Sequence, residues 1–323
     1  MDALPLYRQI ESFKRIGIEL DRSTLADWMK KCGLILQPLI NLIHEKILEQ
    51  KYLHMDETVV QVLNEPNRVA ESQSYMWVLR STLPTCAAVL FQYEPTRNGS
   101  VPSLLLHDFD GALMADGYSG YNAVCNKNNI MRLGCSATAL CVALPPESIQ
   151  SWAHARRKSI ETQKIQPKGK TGKADQGLTF IQSLYRIEQT LKNKSMEEKL
   201  MARQQQSLAI IENIKIWMEK TLPQMPPQSP IGKALYYLHN QWSHLINYVC
   251  DGDYPIDNNA AENAIRPFVI GRKNWLFSAS QNGATATTAW MQEVEQRRSG
   301  CRARIYTASL KPQKPMGLSL MHI

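Results

Sequence analysis

Three carboxylates stand in short, distinctive settings. Asp56 lies in His-Met-Asp-Glu-Thr, Asp116 in Ala-Asp-Gly-Tyr-Ser-Gly-Tyr, and Glu262 in Asp-Asn-Asn-Ala-Ala-Glu-Asn-Ala-Ile-Arg-Pro. Two aspartates and a glutamate form a hard-oxygen ligand set that can hold two Mg²⁺ ions, the minimal equipment for phosphoryl transfer on nucleic acid. If the three segments converge in space, the expected chemistry is cutting and rejoining of DNA.

Each acid also has a plain structural reading. Asp56 sits among Leu53, Val59, Val60 and Val62 in a stretch that reads as a strand. There a carboxylate is costly unless it is paired, bound to metal or on a water-facing edge. Glu57 would point to the opposite face. Asp116 precedes Gly117 where a strand ends, which suits a ligand site and equally a simple turn. Glu262 fits the third position of a helix capped by Asn259, where a carboxylate can bond the backbone. Arg266 follows one turn later and could pair with it, and Pro267 should disturb that helix.

The elements that would position these acids follow from periodicity. Residues 1–50 read as helical, with a start capped by Ser23, one face of Leu25, Trp28 and Met29, and a second apolar run after Pro38. From Tyr52 the pattern alternates. Strands are expected over 52–63, 75–80 and 86–93, as an antiparallel meander, with another at 113–116. Helical spacing returns over 176–250, with Ser195-Met-Glu-Glu198 as a capping box and Ser229-Pro230 opening a further helix. The fold class expected is α/β, a mixed sheet with flanking helices and an inserted helical block.

Composition narrows the class. The chain has 323 residues and is 44% hydrophobic, enough to bury a sizeable core. It has no long apolar run and no secretory signal at its start, so a cytoplasmic protein without membrane contact is expected. The seven cysteines are irregularly spaced with no Cys-x-x-Cys pair, against a zinc ribbon or redox motif and in favour of reduced, mostly buried thiols. The net charge is +8 and uneven. Residues 127–173 carry nine Lys/Arg against two acids, and 297–323 carry six with none. Such patches attract polyanions, and they also suit solvated loops or a disordered tail.

The surrounding words resemble the transposases of the IS-sixty-six family of bacterial insertion sequences. The likeness runs through Leu4-Pro-Leu-Tyr-Arg8, Arg22-Ser-Thr-Leu-Ala-Asp-Trp28, His54-Met-Asp-Glu-Thr58, Asp116-Gly-Tyr-Ser-Gly-Tyr121 and Trp152-Ala-His-Ala-Arg-Arg-Lys158. It continues through Pro230-Ile-Gly-Lys-Ala-Leu235, Ile256-Asp-Asn-Asn-Ala-Ala-Glu262, Arg266-Pro267 and Gly271-Arg-Lys-Asn-Trp275, covering residues 1 to 283. The resemblance implies an RNase H-like core with Asp56, Asp116 and Glu262 as a catalytic DDE triad. It implies two Mg²⁺ ions, with Mn²⁺ as a substitute, and DNA as substrate and target. Arg156, Arg157, Lys158, Arg266, Arg272 and Lys273 are then candidate DNA contacts. A homo-oligomer acting on paired element ends, and accessory element-encoded proteins, are further expectations.

The chain departs from the family pattern in three places. The upstream zinc-binding and DNA-recognition modules are expected to be missing. Ser136–Ser151 separates Arg132-Leu-Gly-Cys135 from Trp152-Ala-His154, so His154 is expected to be structural; with Pro145-Pro146, that stretch should project as an excursion. After Gly283 the family's amphipathic helix gives way to a basic, Pro/Lys-rich end. Plausible codons for 309–322, read out of phase, give LIETAKANGLEPYAY, the family's usual C-terminal helix, which implies a frameshifted gene. The division expected is 1–50 helical, 51–175 first part of the core, 176–250 helical block, 251–290 last part of the core, and 291–323 irregular tail. The function expected is Mg²⁺-dependent DNA strand cleavage and transfer. The rival is a catalytically impaired remnant that only binds DNA; a nuclease that nicks without joining is a third possibility.

Overall fold

The computed structural model describes residues 5–81, 88–116, 118–133 and 172–299, with 293–299 described by backbone alone. The chain opens with α1 (Leu6–Arg15) and α2 (Arg22–Leu48), then β1 (Tyr52–Asn64), β2 (Gln73–Arg80) and β3 (Val89–Glu94). Next come α3 (Ser100–Leu105), β4 (Ala112–Met114), α4 (Gly120–Lys127) and β5 (Met131–Leu133). A helical block follows: α5 (Lys173–Thr190), α6 (Met196–Ala202), α7 (Leu208–Thr221) and α8 (Pro230–Leu245). The chain then returns through α9 (Asn259–Trp275), β6 (Ser278–Ser280) and α10 (Gln281–Ser299).

The sheet runs in the order β3-β2-β1-β4-β5, and β6 pairs with β1. The expected meander is present, because β1–β2 and β2–β3 pair antiparallel. β4 joins β1 in parallel, and β5 joins β4 likewise, so the sheet is mixed. The architecture is α/β, compatible with an RNase H-like fold. The sequence reading did not include the short strands β5 and β6, whose three residues each are too few to show a period.

Alternation along β1 divides the core. Leu53 and Met55 face α2, α3 and α4, in a cluster with Ile43, Ile47, Trp77, Leu105 and Tyr121. Val60 and Val62 face α9, in a cluster with Met76, Val78, Ala264 and Phe268. Helices thus cover both faces of the sheet. The helical block has a core of its own around Leu184, Ile214, Trp217, Leu235 and Leu238. A Cβ on Gly177 would come within 2.5 Å of the Trp217 ring, so only glycine allows that approach. The caps read from sequence are formed. Ser195 and Glu198 bond each other's backbone N–H groups, and Ser229 accepts from Gly232 N at 3.0 Å.

Several expectations need correction. Residues 22–48 form one helix with Pro38 inside it, where two runs were expected. The bond lost at Pro38 is outweighed by burial of Ile40, Ile43 and Ile47 against the sheet. Trp28 is exposed and does not share the inner face with Leu25. Pro267 lies inside α9 without ending it. Of the cysteines described, Cys125 is buried, Cys32 half-buried and Cys250 exposed. The helix α10 extends to Ser299, past the expected boundary at 290. The stretch 136–151, expected to project as an excursion, His154, and the tail from 300 onward, for which a frameshift was expected, lie outside the described residues.

The helix α10 also closes the edge of the sheet. Phe91 N–H donates to Gln292 Oε1 at 2.9 Å, and Gln292 Nε2 donates to the Val89 carbonyl. Gln292 is 2% exposed, so its loss takes a hydrogen-bond partner from two buried backbone groups. Gln292→Ala is expected to cost about 1–3 kcal/mol in urea unfolding. A change under about 0.5 kcal/mol would mean that this side chain does not secure the edge.

Candidate active site

Two of the three acids are aligned by the parallel pairing of β1 and β4. Tyr52, Leu53 and His54 pair with Ala112, Leu113 and Met114. Asp56 and Asp116 each lie two residues beyond the last pair, at the C-terminal end of β4. Carried on in step, that register sets them side by side at the spacing of neighbouring strands, about 5 Å. Asp56 is 2% and Asp116 7% exposed. The carboxyl end of parallel strands is where open α/β sheets place ligands.

The third acid enters on α9. The N-cap is Asn258, one residue earlier than the sequence suggested, and it makes no side-chain cap bond. Glu262 therefore falls past the third helical position, and the capping-box reading does not apply. Its N–H instead closes the first helical turn on the Asn258 carbonyl at 3.1 Å. The Asn258 side chain turns inward, where its Oδ1 meets His54 Nδ1 at 2.8 Å and its Nδ2 donates to the Met55 carbonyl at 3.2 Å. Both residues are almost fully buried. This pair fastens the start of the Glu262 helix to the strand that carries Asp56. Arg80 adds a second tie from β2, donating to the Ala260 carbonyl at 2.7 Å. Tyr185 of the helical block reaches Asp257 Oδ2 at 3.0 Å, which connects that block to the same turn.

The electrostatics report the crowding. Burial pushes the Asp56 carboxyl well above the usual carboxylate range, and the nearby charges of Glu57, Asp116 and Glu262 push it further. Asp116 is also raised by burial, against the pull of Arg97 and Arg132. Asp56 Oδ1 accepts the Glu57 N–H at 2.9 Å, while its buried Oδ2 has no hydrogen-bond partner. Burial holds the His54 imidazole down at about 4, so it is neutral at pH 7.

Sequence reasoning missed a second layer. Glu57 does point to the opposite face of β1 from Asp56, but it remains part of the cluster. Its Oε1 accepts from Arg97 Nε at 2.5 Å and its Oε2 from the Tyr121 hydroxyl at 2.7 Å. Arg97 Nη2 also reaches Asp116 Oδ2 at 3.1 Å. Burial and the Asp116 charge push Glu57 up to about 7, against Arg97 and Tyr121. The adjacent acids in Asp56-Glu57 were the available signal. Arg97, in a loop among ordinary turn residues, gave none.

The expected DNA contacts are distributed unevenly. Arg266 and Lys273 are exposed on α9. Arg272 instead turns to β1, donating to the Val59 carbonyl and to Thr58 Oγ1 at 3.4 Å. Its aliphatic stem and fork serve the strand. Arg156, Arg157 and Lys158 lie outside the described residues. Among the described residues no group of three or more His, Cys, Asp and Glu side chains is arranged to hold a metal ion as it stands. Nor is any described helix long and apolar enough to cross a membrane.

The comparison with known proteins fits this geometry. The family model described as "Transposase IS66 family" matches residues 1–141 and 142–286. The chain belongs to that family. Its relatives include the uncharacterized protein y4qI of Sinorhizobium fredii, 31% identical over 290 residues, covering 87% of this chain and 51% of that protein. The uncharacterized protein y4hP of the same organism is 28% identical, over 87% of this chain and 50% of its own length. The chain thus spans about half the length of the curated relatives it matches. No solved structure matches it.

The raised Glu57 has a pH consequence. Its folded value of about 7 lies above its ordinary 4.5. The contribution of this group is therefore fully present below pH 4.5 and is lost as pH rises through 7, on the order of 3 kcal/mol. His54 works in the opposite sense, losing stability as pH falls from 6.5 toward 4. Comparing wild type with Glu57→Gln isolates the first effect. In metal-free buffer the variant's thermal midpoint should fall less between pH 5 and pH 8 than the wild type's. Parallel profiles would show that Glu57 does not titrate in that window.

Proposed function

We propose that this chain is the catalytic part of a DDE transposase, carrying out Mg²⁺-dependent DNA strand cleavage and transfer by in-line phosphoryl transfer. The observation that carries the reading is that buried Asp56, two residues past the last β1–β4 pair, lies within electrostatic reach of Asp116, two residues past the same pair on the other chain segment, and of Glu262. A cluster of buried acids that raise one another's pKa stabilises the fold poorly by itself and is suited to a polyvalent cation.

The residues fit Mg²⁺ or Mn²⁺ by donor chemistry. All three acids offer hard oxygens, and Asp56 Oδ2 is buried without a hydrogen-bond partner. The absence of a ready-made three-ligand group is consistent with Arg97 occupying one side of Asp116. Bound ions would supply an activated hydroxyl and charge stabilisation at the leaving oxygen. The protein's own part is placement. β1 carries Asp56, the chain leaving β4 carries Asp116 in the same register if it continues in step, and the Asn258–His54 pair sets the helix that presents Glu262. Exposed Arg266 and Lys273, on the same helix, are available to hold DNA phosphates.

The test is cleavage of a labelled duplex carrying insertion-sequence ends, by this chain, with Mg²⁺ or Mn²⁺. Nicking and strand transfer should require the cation. Asp56→Asn, Asp116→Asn and Glu262→Gln should each lower the rate about a hundredfold or more, the loss of several kcal/mol of charge stabilisation. Nicking that survives in Asp56→Asn would overturn the assignment. DNA binding with no cleavage under either cation would favour the impaired, DNA-binding remnant.

A further inference from the structure

Arg97 lies in the loop between β3 and α3 and joins the two faces of the acid cluster. Its Nε donates to Glu57 Oε1 at 2.5 Å, and its Nη2 makes an ion pair with Asp116 Oδ2 at 3.1 Å. The guanidinium lies 4.3 Å from the centroid of the Tyr118 ring, and the Tyr118 hydroxyl donates to Arg97's own carbonyl. Asp116 Oδ1 accepts the Tyr118 N–H at 2.9 Å. Both oxygens of Asp116 are therefore committed, whereas Asp56 keeps one without a partner.

We infer that Arg97 is a positioning residue that stands in for a divalent cation at Asp116 and competes with it. The inference rests on the metal-binding reading of the triad. A guanidinium on Asp116 Oδ2 neutralises the buried acid but takes a lone pair that a metal would need. A fixed positive charge beside the ion also opposes its entry. Arg97 has somewhere to withdraw. Glu57 and Tyr118 hold it from the side away from Asp56, and Glu57 is fixed in turn by Tyr121. Glu57 thus serves as the anchor that retains Arg97 beside the site when a cation displaces it from Asp116. A purely structural ion pair would not need a fork shared between a candidate ligand and a non-ligand.

The test measures Mn²⁺ binding by electron paramagnetic resonance on the full chain, with thermal midpoints alongside. Arg97→Gln should lower the metal-free midpoint yet tighten Mn²⁺ binding by roughly tenfold, the scale of removing one nearby like charge. Glu57→Gln keeps Arg97 but loosens its other anchor, so the guanidinium rests on Asp116 and Mn²⁺ binding should weaken. Opposite signs in the two variants are the expected result. If Arg97→Gln fails to fold, the weaker binding of Glu57→Gln and an intermediate affinity for Arg97→Lys carry the same prediction. Wild-type binding that Asp56→Asn abolishes, but that neither second-layer variant shifts in these directions, would overturn the role of Arg97 and leave the triad standing. Wild-type binding indistinguishable from Asp56→Asn would overturn both.

Discussion

Like charges gathered inside a protein repel one another and lose their hydration, and the structure around Asp56 is arranged to withstand that cost. Asp56, Glu57 and Asp116 are all buried, and each is pushed toward its neutral form by burial. Arg97 and Tyr121 hold Glu57, Arg97 and the Tyr118 backbone hold Asp116, and Arg132 buttresses the turn through the carbonyls of Asp116 and Tyr118. The apolar clusters above and below β1 keep the strand in place while its middle carries charge. Few folds keep such a cluster without a use for it, since an apolar substitution would usually serve stability better.

Much of this was legible in the sequence because Asp56 sits within a clear alternation, and Asp116 and Glu262 sit where the backbone pattern changes. The alternation of 52–63 identified the Asp56 strand, and Asp-Gly after an apolar run identified a strand end at Asp116. The helix beginning near Asn259 was also legible, displaced by one residue. That displacement matters, because Asn258 had no reason in its local sequence to face inward. Its partners are His54 and the Met55 carbonyl, about two hundred residues earlier in the chain. Only tertiary structure brings them together.

Arg97 shows the same limit more sharply. Pro95-Thr-Arg97-Asn-Gly99 reads as a loop, and it is one. Nothing in a turn composition says that its arginine reaches a carboxylate on a different strand. Arg272 errs in the other direction. Basic residues in the last turn of the Glu262 helix invite a phosphate reading, yet the Arg272 guanidinium bonds the backbone of β1. Charge is visible in a sequence, whereas the direction in which a long side chain leaves its helix depends on neighbours. Pro38 and Pro267, both inside helices, show that burial of a helix face can override a local breaker.

The insertion of the helical block between Asp116 and Glu262 has a kinetic consequence. β1 must meet both α9 and β6, which follow it by about two hundred residues. Closing a loop of that length is entropically slow, and contacts of such separation ordinarily form late. The block between them has its own apolar core and well-capped helices, so it can condense first and draw its two ends together. Tyr185 then offers Asp257, at the threshold of α9, a docking point before the sheet is complete. On this account Glu262 joins Asp56 and Asp116 in the last stage of folding, when the rest of the core already exists to bear the added repulsion.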